Sequence, residues 1–405
     1  VLGVAVEIDA LERLSGGASR ETWSFTANDR PLILRRDPPG RPGIPGSMRN
    51  EADAMRACAR AHLAVPEVLV DDDGTLLGTA GLVMARVPGE TLAPRILRDD
   101  TYANARSVLV ADLGRFLAGF HAIVTSEVPG AVEVDSVDAY WRTYEQLDDR
   151  SITFDKAYAW LVEHQPARTA TTLVHGDLRL GNVIVDKDGL AAAIDWELVH
   201  VGDPVEDLAW LCVKAWRFGA PLEVGGLGTI EQLIAAYEGA GGRPVDRDVF
   251  HWWLVAKTLQ WGIGCMGQAS VHLTGAVRSV ELAAIGRRVA EQEWDLVELL
   301  APDEWRAALA APPAPIVDDV AGLHGRPTAR ELLDAVRGFL TDDVVPNTTG
   351  RVSFHARVAA NVVAIVEREL AQNSIAPDGD DWAALALRVR DKLAVANPKH
   401  LARSV

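Results

Sequence analysis

The sequence predicts an α+β chain with a small β-rich N-terminal lobe, a mainly helical second lobe and a small helical module at its C-terminus. Three observations carry this. Short apolar runs separated by turn residues fill the first part. Helical composition dominates from about residue 91, and a proline-rich stretch sets off the residues after 322. The expected boundaries are 1–83, 84–310, a linker over 311–322, and 323–405.

Within the first lobe, Leu32-Ile33-Leu34 reads as a strand, and Val68-Leu69-Val70 as a strand running into the turn Asp71-Asp72-Asp73-Gly74. Met48 to Leu63 has helical composition without Pro or Gly. Residues 84–90 form a connector. Ala111 to Ile123 then places Leu113, Phe116, Leu117 and Phe120 on one helical face. Further on, Leu173-Val174 is a short strand, and Asn182–Val185 with Ala191–Ile194 is a hairpin turning through Asp186-Lys187-Asp188-Gly189. An antiparallel pair of that register brings Asn182 and Asp195 to the same end. Val205 to Leu300 reads as helical, and Ala311-Pro312-Pro313-Ala314-Pro315 as a stiff linker. Residues 323–405 carry 11 Lys/Arg against 10 Asp/Glu, although the whole chain is at −17, and this shift supports a separate helical module.

The chemistry concentrates in His175-Gly176-Asp177-Leu178-Arg179-Leu180-Gly181-Asn182 and Ile194-Asp195-Trp196-Glu197. Phosphoryl transfer needs a carboxylate to take a hydroxyl proton and oxygen ligands for a metal bridging nucleotide phosphates. Asp177 suits the first duty; Asn182 and Asp195 suit the second. The protein-kinase catalytic loop has the same internal spacing. Arg179, two residues after the base, would offset charge on the transferring phosphoryl group. His175 braces the loop or takes part in proton handling, and Glu197 either assists a second metal or braces the loop. Asp203 suits a helix cap, and Asp207 suits hydrogen bonding to the loop backbone.

In the first lobe, the turn containing Ser15, Gly16, Gly17, Ala18 and Ser19 offers backbone N–H groups to phosphates, or is an ordinary hairpin turn. Arg35 ends a strand where kinases place a phosphate-gripping lysine, and Glu51 opens the helix that would pair with it. Strand alternation points Arg36 to the other face. Met84 heads the connector and is grouped with the nucleotide-binding residues.

As a set, these motifs resemble the aminoglycoside phosphotransferase and choline kinase-like family over residues 10–300. The block Gly202-Asp203-Pro204-Val205-Glu206-Asp207-Leu208-Ala209-Trp210-Leu211 is most similar to the kinase-like domains fused to acyl-CoA dehydrogenases. The resemblance implies a bilobal protein-kinase-like fold with ATP, or GTP, beside Mg²⁺. It implies Asp177 as catalytic base, Asn182 and Asp195 as Mg²⁺ ligands, and Arg35 with Glu51 as the nucleotide-gripping pair. Arg326-Pro327-Thr328-Ala329-Arg330-Glu331-Leu332-Leu333 resembles a small helical domain that accompanies such phosphotransferases.

Composition narrows the partners. A net charge of −17 gives no general attraction for nucleic acid or anionic membranes. Cys58, Cys212 and Cys265 are dispersed and apolar in setting, as buried free thiols are. With no leader before residue 10 and no uncharged apolar run of about 18 residues, the expected setting is cytoplasmic. A first residue other than Met points to an alternative start codon or a trimmed chain. The acceptor should meet residues 130–165 and 250–295, where Trp253 and Lys257 on an aromatic helix, with Arg278 and Glu281, are the substrate candidates. A lysine among apolar neighbours must snorkel, pair or meet a ligand. That composition suits a partly apolar, anionic hydroxylated metabolite, and the family resemblance points toward a hydroxyacyl thioester. The alternatives are an aminoglycoside or macrolide kinase, and a nucleotide-binding regulator without turnover.

Overall fold

The computed structural model describes residues 7–14, 20–39, 43, 46–167, 170–320, 322–323, 325–372, 377 and 379–404. Its strands are β1 (Ile8–Arg13), β2 (Glu21–Ala27), β3 (Arg30–Arg36), β4 (Val68–Asp72), β5 (Gly81–Ala85), β6 (Thr172–Val174), β7 (Val183–Val185), β8 (Leu190–Ala193) and β9 (His200–Gly202). The helices begin with α1 (Ser47–Arg60), α2 (Ala93–Arg98), α3 (Ala103–His121), α4 (Ser136–Glu145) and α5 (Ile152–Glu163). Then come α6 (Val205–Trp210), α7 (Ile230–Gly239), α8 (Arg247–Leu273), α9 (Val280–Gly286) and α10 (Val289–Leu300). The last are α11 (Pro302–Ala310), α12 (Ala329–Gly338), α13 (Gly350–Ala371), α14 (Trp382–Ala396) and α15 (Pro398–Ala402). The described residues form two compact units, 1–136 with 166–254, and 137–165 with 255–405. These units do not follow the linear boundaries at 83, 310 and 322.

In the first unit, β1 to β5 make one antiparallel sheet in the order β1-β2-β3-β5-β4. Helix α1 covers it with a face that repeats at three- and four-residue steps, Met48, Ala52, Met55 and Cys58, all buried. Glu51 lies on that same face and is 0% exposed, so its carboxylate is obliged to find cations. The expected face of α3 is buried as well, and Phe116 and Phe120 pack on Trp196 with ring centroids 6.2 and 5.1 Å away. Gly114 lets α3 approach α7 closely, since a Cβ there would lie 2.8 Å from Ala236 Cβ.

The β7–β8 hairpin has the expected register, with Val183 opposite Ala193 and Ile194 N donating to Asn182 O at 3.0 Å. Asp186 builds its turn by accepting from Asp188 N at 2.7 Å and Gly189 N at 3.0 Å. Among the described residues, no helix is long and apolar enough to cross a membrane.

The second unit has its own core. Trp294 and Val297 of α10, Ala308 of α11, and Ala386, Val389 and Leu393 of α14 form one buried cluster. Three acids of α10 would be costly there without partners. Glu293 takes Ser151 Oγ at 2.6 Å and Lys392 Nζ at 2.6 Å, Asp295 meets His400 Nε2 at 2.8 Å, and Glu291 accepts from Asn397 Nδ2 at 2.9 Å. The C-terminal helices thus complete a core begun by α10. Leu393, 0% exposed, is the direct probe of that. Leu393→Ala is expected to cost about 2–5 kcal/mol. A loss below about 1 kcal/mol in denaturant unfolding followed by tryptophan fluorescence would contradict the shared core.

Candidate active site

The loop between β6 and β7 is set from behind by Asp207, which is fully buried on α6. Its Oδ2 accepts from His175 N at 2.8 Å, and its Oδ1 from Gly176 N at 2.9 Å. His121 Nε2 lies 3.2 Å from Oδ2, and His121 Nδ1 is 3.1 Å from the Tyr237 hydroxyl. Burial pushes the Asp207 carboxyl up, but the His121 bond and the backbone donors win and hold it at about 2. Gly176 has a φ of 82°, and a Cβ there would stand 2.8 Å from Leu198 O, so the turn admits only glycine without strain. This is the loop-bracing duty expected of Asp207.

His175 also belongs to the brace. It is 0% exposed, its Nδ1 accepts from Asp177 N at 3.2 Å, and its Nε2 lies 3.2 Å from Ile194 O. With Nδ1 accepting, the ring proton sits on Nε2. Burial lowers its pKa below the usual histidine value, which keeps it neutral. Grouping His175 with the catalytic residues is therefore corrected: both ring nitrogens are engaged by backbone.

Asp177 faces outward from this brace, with its side chain 17% exposed. Oδ1 accepts from Trp210 Nε1 at 2.8 Å and Arg179 Nε at 3.0 Å; Oδ2 accepts from Asn182 Nδ2 at 2.5 Å. Burial raises its pKa above the ordinary aspartate value, Arg179 acts against this, and the charge of Asp195 adds to it. Arg179 is itself oriented, its guanidinium 4.4 Å from the Trp216 ring centroid. Neither Trp210 nor Trp216 was anticipated here. The signal for Trp210 is its place at the end of the acid-rich helix α6, three residues after Asp207.

Across the same unit, Arg35 on β3 forks between two carboxylates. Its Nη1 donates to Glu51 Oε2 at 3.1 Å and its Nη2 to Asp195 Oδ1 at 2.7 Å. Arg36 turns the other way and pairs with Glu21 at 3.0 Å, as alternation requires. Arg20 is the second cation on Glu51. It ion-pairs with Glu51 Oε1, donates to Asp37 Oδ1 at 3.1 Å, and reaches Ser47 Oγ at 2.7 Å. Glu197 Oε2 lies 3.9 Å from both Arg20 and Arg35.

Asn182 and Asp195 stand at one end of the hairpin, and Asp195 is held at a φ of 67°. Amide and carboxylate oxygens are the hard donors that Mg²⁺ takes, with phosphates and water completing its shell. Among the described residues, no group of three or more His, Cys, Asp or Glu side chains is arranged to hold a metal. Met84 is buried on β5 opposite Ile33. The turn Ser15 to Ser19 lies outside the described residues.

Of the expected acceptor residues, Trp253 and Lys257 lie one turn apart on α8, within which the boundary between the two units falls, and Arg278 lies in the second unit. Lys257 is 1% exposed and its Nζ donates to Gln260 Oε1 at 2.7 Å within α8, so it packs instead of facing a ligand. Arg278 is exposed in the loop before α9.

A profile of the phosphotransferase enzyme family matches residues 10–253, and one for a domain of unknown function, DUF6285, matches residues 346–381. Mouse acyl-CoA dehydrogenase family member 10 is 28% identical over 318 residues, which cover 69% of this chain and 28% of that protein. The chain therefore spans less than a third of that relative. Escherichia coli aminoglycoside 3'-phosphotransferase is 26% identical over 214 residues, 49% of this chain and 72% of that protein. A solved Ralstonia eutropha structure, assigned as an aminoglycoside phosphotransferase, aligns at a TM-score of 0.57 and 22% identity, covering 73% of this chain and 94% of that one. That likeness is one of fold, and the kinase-like α+β class expected from sequence holds.

Asp207→Ala would leave three donors facing a vacated site, with an expected stability loss of about 3 kcal/mol or more. Because the Asp207 pKa is depressed, its contribution is complete above about pH 4 and fades as pH falls toward about 2. Unfolding of the wild type should therefore steepen with acid in that window and that of the variant should not; parallel pH profiles would contradict the assignment.

Proposed function

Because the chain belongs to the phosphotransferase enzyme family, we propose that it moves the γ-phosphate of ATP to a hydroxyl of a small metabolite, with Asp177 as the base. The observation that carries this is the Asp177 carboxylate itself. It is outward-facing, fixed by Trp210, Arg179 and Asn182, and of raised basicity.

As the acceptor oxygen bonds to the γ-phosphorus, its proton passes to Asp177, and the bond to the bridging oxygen breaks to release ADP. The hydrogen bonds from Trp210 and Arg179 to Oδ1, with that from Asn182 to Oδ2, keep the carboxylate from rotating as the proton arrives. Arg179 also offsets charge on the transferring group. Arg35, anchored by Glu51, grips the nucleotide phosphates. Asn182 and Asp195 would hold Mg²⁺, which would supply positive charge to offset that of the nucleotide phosphates.

For the acceptor, the reading supported best is a hydroxyacyl thioester or a related anionic, partly apolar compound. Its support is the likeness to the acyl-CoA dehydrogenase relative; the burial of Lys257 withdraws the argument from that residue. The E. coli relative supports an aminoglycoside acceptor as the alternative. Labelled ATP with hydroxyacyl thioesters, the free hydroxy acids and aminoglycosides separates them by kcat/KM. A preference for aminoglycosides would reverse the choice of substrate and leave the reaction standing.

Asp177→Asn should lower kcat about 10²–10⁴-fold with nucleotide binding retained; unchanged turnover of the true acceptor would remove Asp177 as the base. The pH profile gives a second check. Activity needs the carboxylate ionised, so its acid limb should lie above the ordinary aspartate range. The Trp210 hydrogen bond favours the ionised form. Trp210→Phe should therefore move the limb to still higher pH, and a shift downward would contradict this account.

A further inference from the structure

The planar guanidinium of Arg179 is held on one edge, at one tip and on one face. Its Nε donates to Asp177 Oδ1 at 3.0 Å, and its Nη1 to Leu180 O at 3.3 Å. One face lies against Trp216, with Cζ 4.4 Å from the ring centroid. A Cβ on Gly181 would stand 2.8 Å from Nη1, so the glycine leaves the group its room. Nη2, on the same edge of the fork as Nε, makes no hydrogen bond among the described residues.

Trp216 sits in one turn of 3₁₀ helix, Lys214–Arg217, where its N donates to Val213 O at 3.0 Å, and it is buried. Its ring also packs on Trp210, with centroids 5.1 Å apart and planes tilted by 58°. Trp210 is the other donor to Asp177 Oδ1, at 2.8 Å. The two groups that hold this oxygen therefore share one aromatic support. A partly exposed ion pair with a single hydrogen bond does little to fix a long side chain. A buried indole face adds attraction and sets the plane as well. The two donors fill both lone pairs of Oδ1, whereas among the described residues Oδ2 takes only Asn182 Nδ2. Oδ2 thus keeps the open lone pair.

We propose that Trp216 is a positioning residue for the transfer: it holds Arg179 by its face, so that Nε stays on Asp177 Oδ1 and Nη2 is presented to the transferring phosphoryl group. One guanidinium edge then spans the base and the group that moves. The acceptor's proton passes to the open lone pair of Oδ2 as the acceptor oxygen bonds to phosphorus. The electron pair of the breaking bond leaves with the bridging oxygen of ADP. Trp216 itself touches neither reactant. A lysine at 179 would keep the charge and lose the flat face through which Trp216 acts. The inference rests on the reading of Asp177 as the base.

The first test needs no acceptor. In the full chain, isotopically labelled at arginine Nε, the Arg179 Nε–H resonance is identified by its loss in Arg179→Lys. It should persist in the wild type and in Trp216→Phe, and broaden away in Trp216→Leu, which gives up the aromatic face. Kinetics then use the acceptor selected with labelled ATP. Trp216→Leu should lower kcat about tenfold with the nucleotide KM within about twofold of wild type, and Trp216→Phe should restore most of the loss. The Arg179 side chain is 24% exposed, so Arg179→Lys leaves the core intact, and it should reproduce the loss on its own. In that background, Trp216→Leu should add less than about twofold. A resonance that persists in Trp216→Leu, wild-type kcat in Arg179→Lys, or two independent losses of about tenfold would overturn the proposal. Unchanged turnover in Asp177→Asn would instead remove the base, and the placement of Arg179 would be decided by the resonance alone.

Discussion

A single buried carboxylate determines whether the catalytic loop has a shape at all. Asp207 accepts from two consecutive backbone N–H groups, those of His175 and Gly176, at a point where the left-handed turn at Gly176 aims them inward. Buried backbone donors must be satisfied, and at this position a side chain does what a strand cannot. The cost of burying the charge is met by His121, so the network extends into α3 and, through Tyr237, into α7. Loop geometry is thereby tied to the helical core. Asp177 lies one residue beyond the two braced N–H groups and inherits its direction from them.

Arg35 applies the same logic to the sheet. A lysine at this position could present only a point charge, whereas the planar fork reaches Glu51 with one nitrogen and Asp195 with the other. One residue thus links β3, α1 and the segment after β8. Glu51 sustains this because Arg20 supplies a second cation, leaving neither carboxylate oxygen without a positive neighbour. The departure from the kinase lysine is therefore matched by other features of the site. Two arginines share a fully buried glutamate, and the assembly is pre-formed between the strand and the metal-ligand candidate.

The local patterns were legible because each rests on a period or a fixed spacing. Strand alternation separated Arg35 from Arg36, hairpin register placed Asn182 beside Asp195, and the apolar steps of α3 marked its buried face. Arg20 and Trp210 were not legible. Arg20 follows a turn, where no period applies, and its role appears only once Glu51 is known to be buried. Trp210 read as one more apolar residue on a short helix, although its indole N–H is the closest donor to Asp177 Oδ1. The positive shift in charge beyond residue 323 was also read from composition, but its use was not. Lys392 and His400 serve the buried acids of α10, a complementarity between segments about 100 positions apart that only folding reveals.

The same distinction explains why the reaction was readable and the acceptor was not. Proton abstraction and phosphate neutralisation demand particular functional groups, and those groups keep their chemistry whatever surrounds them. Recognition of an apolar or mixed acceptor demands shape, and side chains that make shape look the same in sequence as those that make a core. Lys257 illustrates the ambiguity: a cation among tryptophans suggests a ligand contact, yet its amine closes on Gln260 one turn along the same helix. For a charged residue, then, the telling property is its unmet electrostatic demand after folding, and composition alone does not measure that.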